Sequence, residues 1–149
     1  YSEESSESFQ LEQYDYIIDA IDSLGHKHHL LVAASKTGAT VFSSMGAALK
    51  MDPLQIRVAE FWKVRGCKLA CALRERMKKK GEKPVKPILC VYSEEMLPNR
   101  EEPLAEANEN GSFRKARING TMVQVTATFG FTLSGLVIQD IAKQYQWTT

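Results

Sequence analysis

The chain has 149 residues, 44% hydrophobic and 25% charged, with a formal net charge of +1. That is ordinary globular composition with enough apolar material for one core, and bulk charge argues neither for nor against nucleic acid. Three cysteines, Cys67, Cys71 and Cys90, make no disulfide framework, and the acidic start YSEESSES is no secretory signal, so free thiols and a cytoplasmic setting are expected.

Residues 2–8, SEESSES, suit a short helical turn capped by Ser2. DYIID, 15–19, reads as a short buried strand. A helix follows over about 23–38; Leu24, Leu31, Val32 and Ala34 suit it only moderately, and Gly38 is a natural stop. TVFSS, 40–44, is a second strand, and MGAALKMDP a loop bounded by Pro53. QIRVAEFW, 55–62, alternates Ile56, Val58 and Phe61 with polar neighbours, which predicts a half-exposed strand antiparallel to the rest.

CKLACALRERMKKKG, 67–81, carries Leu69, Ala70, Leu73 and Met77 on one face, three lysines in its last turn and a terminal glycine: a helix. PILCVYS, 87–93, is a strand of β-branched and aromatic residues. Residues 94–117 are charged and weakly periodic, and with the turn behind them form a long, mobile loop over 94–120. The last element, 121–144, sets Met122, Val125, Phe129, Leu133, Leu136, Val137 and Ile141 at helical spacing and reads as a buried or interface helix. Gln124, four threonines and Asp140 argue against a membrane span. The order strand, helix, strand, strand, helix, strand, loop, helix gives an α/β fold, a mixed sheet flanked by helices, within a single domain over 1–149.

Ligands of parallel sheets gather at the carboxyl ends of the strands. Asp19 and Asp22 stand where the first strand gives way to a helix. A carboxylate there can hold Mg²⁺ against polyphosphate; equally, Asp22 or Ser23 can cap the helix. His26, His28 and His29 form a polar first turn or a weak metal cluster. Cys67 and Cys71 share a helix face, but zinc would need two more ligands, and all three cysteines read as structural thiols. Arg74, Arg76, Lys78, Lys79, Lys80, Lys83 and Lys86 form one basic stretch, and Arg114, Lys115 and Arg117 another. The first complements a helix dipole or contacts nucleic-acid phosphates.

The blocks YDYIIDAIDS, SSMGAALKMDPLQIRVAEFWK, LACALRERMKKKG and CVYSEE, in that order, resemble the carboxyl-terminal half of the ThiF/MoeB/HesA superfamily, bacterial relatives of ubiquitin-activating enzymes. Within it the resemblance is strongest to the tRNA threonylcarbamoyladenosine dehydratases, over about 4–143. It implies a Rossmann-like activating-enzyme fold, ATP and Mg²⁺ as cofactors, adenylation and cyclisation of a modified adenosine in a tRNA substrate, and a homodimer. Carried over, Asp22 is the Mg²⁺·ATP carboxylate, with Asp19, Ser23 and Lys27 as further nucleotide-site candidates; a solvated Lys27 is the plainer expectation. Lys78, Lys79, Lys80, Arg114, Lys115 and Arg117 become tRNA-phosphate candidates.

The resemblance lacks one part. None of the nine glycines forms the G-x-G-x-x-G loop that binds ATP in the family. The chain is therefore expected to be a carboxyl-terminal portion without the nucleotide-loop half, inactive in adenylation by itself. Two alternatives stand beside it. One is an activating enzyme for a small ubiquitin-like sulfur-carrier partner; the other is a non-catalytic dimerisation or interaction module. No membrane partner is expected.

Overall fold

A computed structural model describes residues 1–99, 104–107, 113–116 and 119–147. Four strands make the main sheet: β1 (Tyr16–Asp19), β2 (Thr40–Ser44), β3 (Ile56–Glu60) and β4 (Leu89–Ser93). Their order is β1-β2-β4-β3; β1, β2 and β4 run parallel, and β3 pairs antiparallel with β4 at the far edge. The antiparallel placement expected from the alternation in 55–62 is the one observed. Its ends differ, because one-turn 3₁₀ segments, Pro53–Gln55 and Phe61–Lys63, flank the strand. Asp52 and Glu60 accept hydrogen bonds from Leu54 N and Trp62 N and so start these turns.

Helices α1 (Leu24–Ser35) and α2 (Lys68–Lys80) cover one face of the sheet. Ile17, Val41, Cys90 and Tyr92 pack there against Leu31, Ala34, Ala70, Leu73 and Met77. α1 is buried around much of its circumference, from Lys27 and His28 to Ser35, which is why its apolar spacing was weak. α2 is amphipathic and ends as its sequence predicts: Gly81 takes φ +66° and donates to Lys78 O, and Glu82 N reaches Met77 O.

Among the described residues, the helix on the other face is α3 (Val123–Gln144). Val125, Phe129 and Leu133 sit on Phe42 and Val91. Tyr16 donates to Asp140 Oδ2 at 2.8 Å and ties the helix to the edge strand β1. The sequence suggested a buried or interface helix; the contact with the sheet is one-sided, with Val123, Phe131 and Ile138 facing out. Among the described residues α3 is the one helix long and apolar enough to cross a bilayer, but its buried stripe belongs to the sheet.

Within the stretch expected as continuous loop, β5 (Leu104–Ala107) and β6 (Phe113–Ala116) form an antiparallel two-stranded sheet. Neither strand has the apolar alternation that would have marked it. The N-terminal turn also falls later than expected: the 3₁₀ segment is Ser6–Phe9, while Ser2 and Ser5 exchange hydrogen bonds ahead of it.

Candidate functional site

The parallel strands deliver three chain segments to one edge of the sheet: 20–23 after β1, 45–52 after β2 and 94–98 after β4. They enclose a cleft of about 510 Å³ whose lining includes Asp22, Gly46, Lys50, Cys67, Lys68, Glu95 and Asn119. α2 begins in its wall, so the N-terminus of the helix and the positive end of its dipole lie at the cleft. An exposed carboxylate opposite a helix N-terminus, with Lys68 beside it, is an arrangement that suits a polyphosphate carried with a hard cation.

Asp22 is exposed and lines this cleft. Asp19 does not. The register pairs Asp19 with Ser43, so both side chains point towards α1. There Asp19 is fully buried, 2.6 Å from the equally buried Lys27 Nζ, and accepts from Ser43 Oγ at 2.5 Å and Ile21 N at 3.1 Å. Lys27 also donates to Ile21 O and Ser44 O, at 3.1 and 2.7 Å. A solvated Lys27 is thus corrected: its charge is satisfied by one carboxylate and two carbonyls beneath the cleft floor. The same hydrogen bonds fasten the segment bearing Asp22 to the end of β2. Ser23 occupies the N-cap position of α1, but its side chain makes no capping bond; its carbonyl receives Lys27 N.

Several determinants of the cleft were not singled out from sequence. Lys50 is buried and donates to Ser93 O at 2.8 Å and Glu95 O at 2.6 Å; burial pushes its ammonium below the usual lysine range. Glu95 returns the contact by accepting from Met51 N and Asp52 N. The two loops therefore clasp each other through one lysine and one glutamate. Gly66 adopts φ +62°, and a Cβ there would lie 2.6 Å from Glu94 O. Only glycine lets the chain leaving β4 cross the start of α2 this closely. A glycine directly before a helix was the one signal the sequence offered.

The basic residues part company. Arg74 donates to Phe61 O and Val64 O, both at 3.0 Å, and Lys86 to Thr37 O and Ala39 O; these two hold loops. Lys78, Lys79 and Lys80 are exposed on the last turn of α2, about 18 Å along the helix from the cleft at 1.5 Å per residue. Arg114 and Lys115 lie on β6, and Arg117 lies outside the described residues.

The histidines point to three places. His29 Nδ1 lies 2.8 Å from Tyr1 Oη, and His26 Nδ1 receives Glu3 N at 3.4 Å. His28 is buried, 3.6 Å from Glu82, rather than part of a solvated turn. Burial lowers the His28 pKa, more than the Glu82 contact raises it. A histidine held neutral in the fold binds more protons unfolded, so stability is full above pH 6.5 and falls as the pH drops below that value. Replacing His28 with glutamine is expected to flatten the dependence of unfolding free energy on pH between about 7 and 5. Denaturant melts at half-unit steps check this; an unchanged slope would place the effect elsewhere.

No family model matches the chain. A tRNA threonylcarbamoyladenosine dehydratase of Bacillus subtilis (strain 168) is 32% identical over 149 residues, 98% of this chain and 58% of that protein. The Escherichia coli (strain K12) enzyme of the same name is 35% identical over 129 residues, 79% of this chain and 48% of that protein. The crystal structure of the E. coli enzyme, TcdA, in complex with ATP superposes with a TM-score of 0.73 at 28% identity, covering 99% of this chain and 56% of that one. The chain thus spans about half the length of the relatives it matches. Sequence and fold agree: this chain is homologous to the tRNA threonylcarbamoyladenosine dehydratases, ThiF-like proteins.

Proposed function

We propose that residues 1–149 act as the carboxyl-terminal portion of a cytoplasmic, ATP-dependent tRNA-modifying dehydratase, with the phosphates of ATP in the Asp22 cleft. The observation that carries this is the position of Asp22, exposed at the carboxyl end of a parallel strand and opposite the N-terminus of α2, in a chain that superposes on an ATP-bound relative. The donor set fits Mg²⁺. Among the described residues no group of three His, Cys, Asp or Glu side chains converges, and Mg²⁺ is commonly held by one or two carboxylates plus phosphate oxygens and waters. Asp22 would hold the ion, which offsets charge on the departing pyrophosphate. Ser23 N–H and the first amides of α2 orient phosphate oxygens; Asp19 and Lys27 keep the Asp22 segment in place.

The exposed Lys78, Lys79 and Lys80, with Arg114, Lys115 and Arg117, are assigned to tRNA phosphates, contacts that position rather than read sequence. The outward face of α3, where Val123, Phe131 and Ile138 are 80%, 77% and 64% exposed, is assigned to a homodimer contact. The sulfur-carrier reading has no observation of its own. The interaction-module reading shares the α3 face but leaves the Asp22 cleft without a use.

The test joins residues 1–149 to the amino-terminal part of the E. coli relative and follows AMP formation with threonylcarbamoyladenosine-containing tRNA. The chimera is expected to form AMP, and Asp22→Ala to lower the rate at least about 100-fold. AMP formation indifferent to Asp22→Ala would remove Asp22 from the site.

A further inference from the structure

We propose that Cys67, Cys71 and Met96 form a binding site for a soft monovalent cation, Cu(I) in the cell, on the outer wall of the Asp22 cleft. Cys67 is the N-cap of α2, and Cys71 N donates to Cys67 O at 3.1 Å, which stacks the two residues one turn apart on one helix face. Both, together with Met96, line a groove of about 370 Å³ that adjoins the Asp22 cleft. Met96 is 65% exposed, a thioether held out over this groove by the segment that the Lys50–Glu95 clasp fixes.

Each sulfur already has a donor suited to a thiolate. Cys67 Sγ accepts from Ala70 N at 3.5 Å at the positive end of the helix, and Cys71 Sγ receives Arg74 Nη2 at 3.4 Å. Two thiolates and a thioether are soft ligands, which select Cu(I) over harder ions. Zinc, which takes four ligands, is disfavoured: the groove adds only Glu75 to the pair, and among the described residues no group of three His, Cys, Asp or Glu is placed to hold a metal. On binding, each thiol gives its proton to solvent, and the bis-thiolate complex of a monovalent ion keeps one negative charge beside Lys68 and Arg74. Cys90 takes no part: it is buried in β4, and burial pushes its thiol up to about 12.

The test titrates the whole chain with Cu(I) under anaerobic conditions against bicinchoninate, following thiolate-to-copper absorption in the near ultraviolet. One equivalent is expected to bind. Cys71→Ser, at an exposed position, and Cys67→Ser, which keeps an N-cap oxygen, should each weaken binding by more than about 100-fold, and Met96→Leu by about tenfold. Cys90→Ser should leave binding unchanged. Complete surrender of copper to two equivalents of bicinchoninate, the number one Cu(I) takes up, would overturn the site, as would wild-type affinity in Cys71→Ser. Zn(II) bound as tightly as Cu(I) would overturn the assignment of a soft ligand.

Discussion

Lys27→Met is expected to cost about 3–5 kcal/mol of folding stability. Lys27 and Asp19 are both fully buried and stand 2.6 Å apart. Methionine fills the aliphatic space of lysine but removes the charge and two donations, to Ile21 O and Ser44 O. Asp19 would keep Ser43 Oγ and Ile21 N as donors, yet its carboxylate would be buried without a counter-charge. Equilibrium unfolding in urea measures the loss, which corresponds to a fall in melting midpoint of about 10 °C for a chain of this size. The double variant Asp19→Asn, Lys27→Met should recover a good part of it, because no unpaired charge remains buried. A loss under about 1 kcal/mol in the single variant would show that the pair contributes no more than an exposed one. Because the pair anchors the segment before α1, the same variant should also disturb the geometry around Asp22 while leaving α3 on the opposite face of the sheet.

Phe129→Ala is expected to cost about 3–5 kcal/mol through the cavity it leaves between α3 and the sheet. Phe129 is 2% exposed and packs with Val125 and Leu133 against Phe42 and Val91, the fully buried core on that face among the described residues. Phe131→Ala, two residues on and 77% exposed, should change stability by less than about 0.5 kcal/mol in the isolated chain. The contrast tests the orientation of α3 about its own axis. Equal effects at the two positions would mean that this helix does not rest on the sheet by its Val125–Phe129–Leu133 stripe. Sedimentation of the Phe131 variant then tests the dimer assigned to the outward face: a concentration-dependent association in the parent chain should weaken when Phe131 is removed.

Element identity was legible wherever burial was one-sided. α2 shows this best, since its apolar positions, terminal lysines and Gly81 all describe a helix resting on a sheet by one face. The antiparallel direction of β3 followed from its alternation, while β2, buried on both faces, was marked by its short apolar and β-branched run. α1 was harder, because sheet, α2 and the N-terminal turns cover it from several sides and leave no polar stripe. β5 and β6 carry too little apolar pattern to be told from loop.

The candidate site divides in the same way. The strand-to-helix junction marked Asp19 and Asp22 alike, because such junctions in α/β folds gather at one edge, and the family resemblance then singled out Asp22. Lys27 looked like a surface lysine, since nothing within one helix says that the carboxylate eight residues earlier will be buried under it. Lys50, Gly66 and Glu95 stand far apart in the chain and meet only when β2 and β4 pair.

By itself, then, the sequence determined the α/β class, the order of the main elements and the kinship to the tRNA threonylcarbamoyladenosine dehydratases, and it offered Asp22 as a candidate. Those properties are written in local periodicity, capping residues and short ordered blocks. Tertiary structure decided which charges are buried, which face of α3 is free and which loops enclose the cleft. Each of these depends on strand register and helix orientation, which bring residues from eight to 124 positions apart into contact and set the local dielectric around every charge.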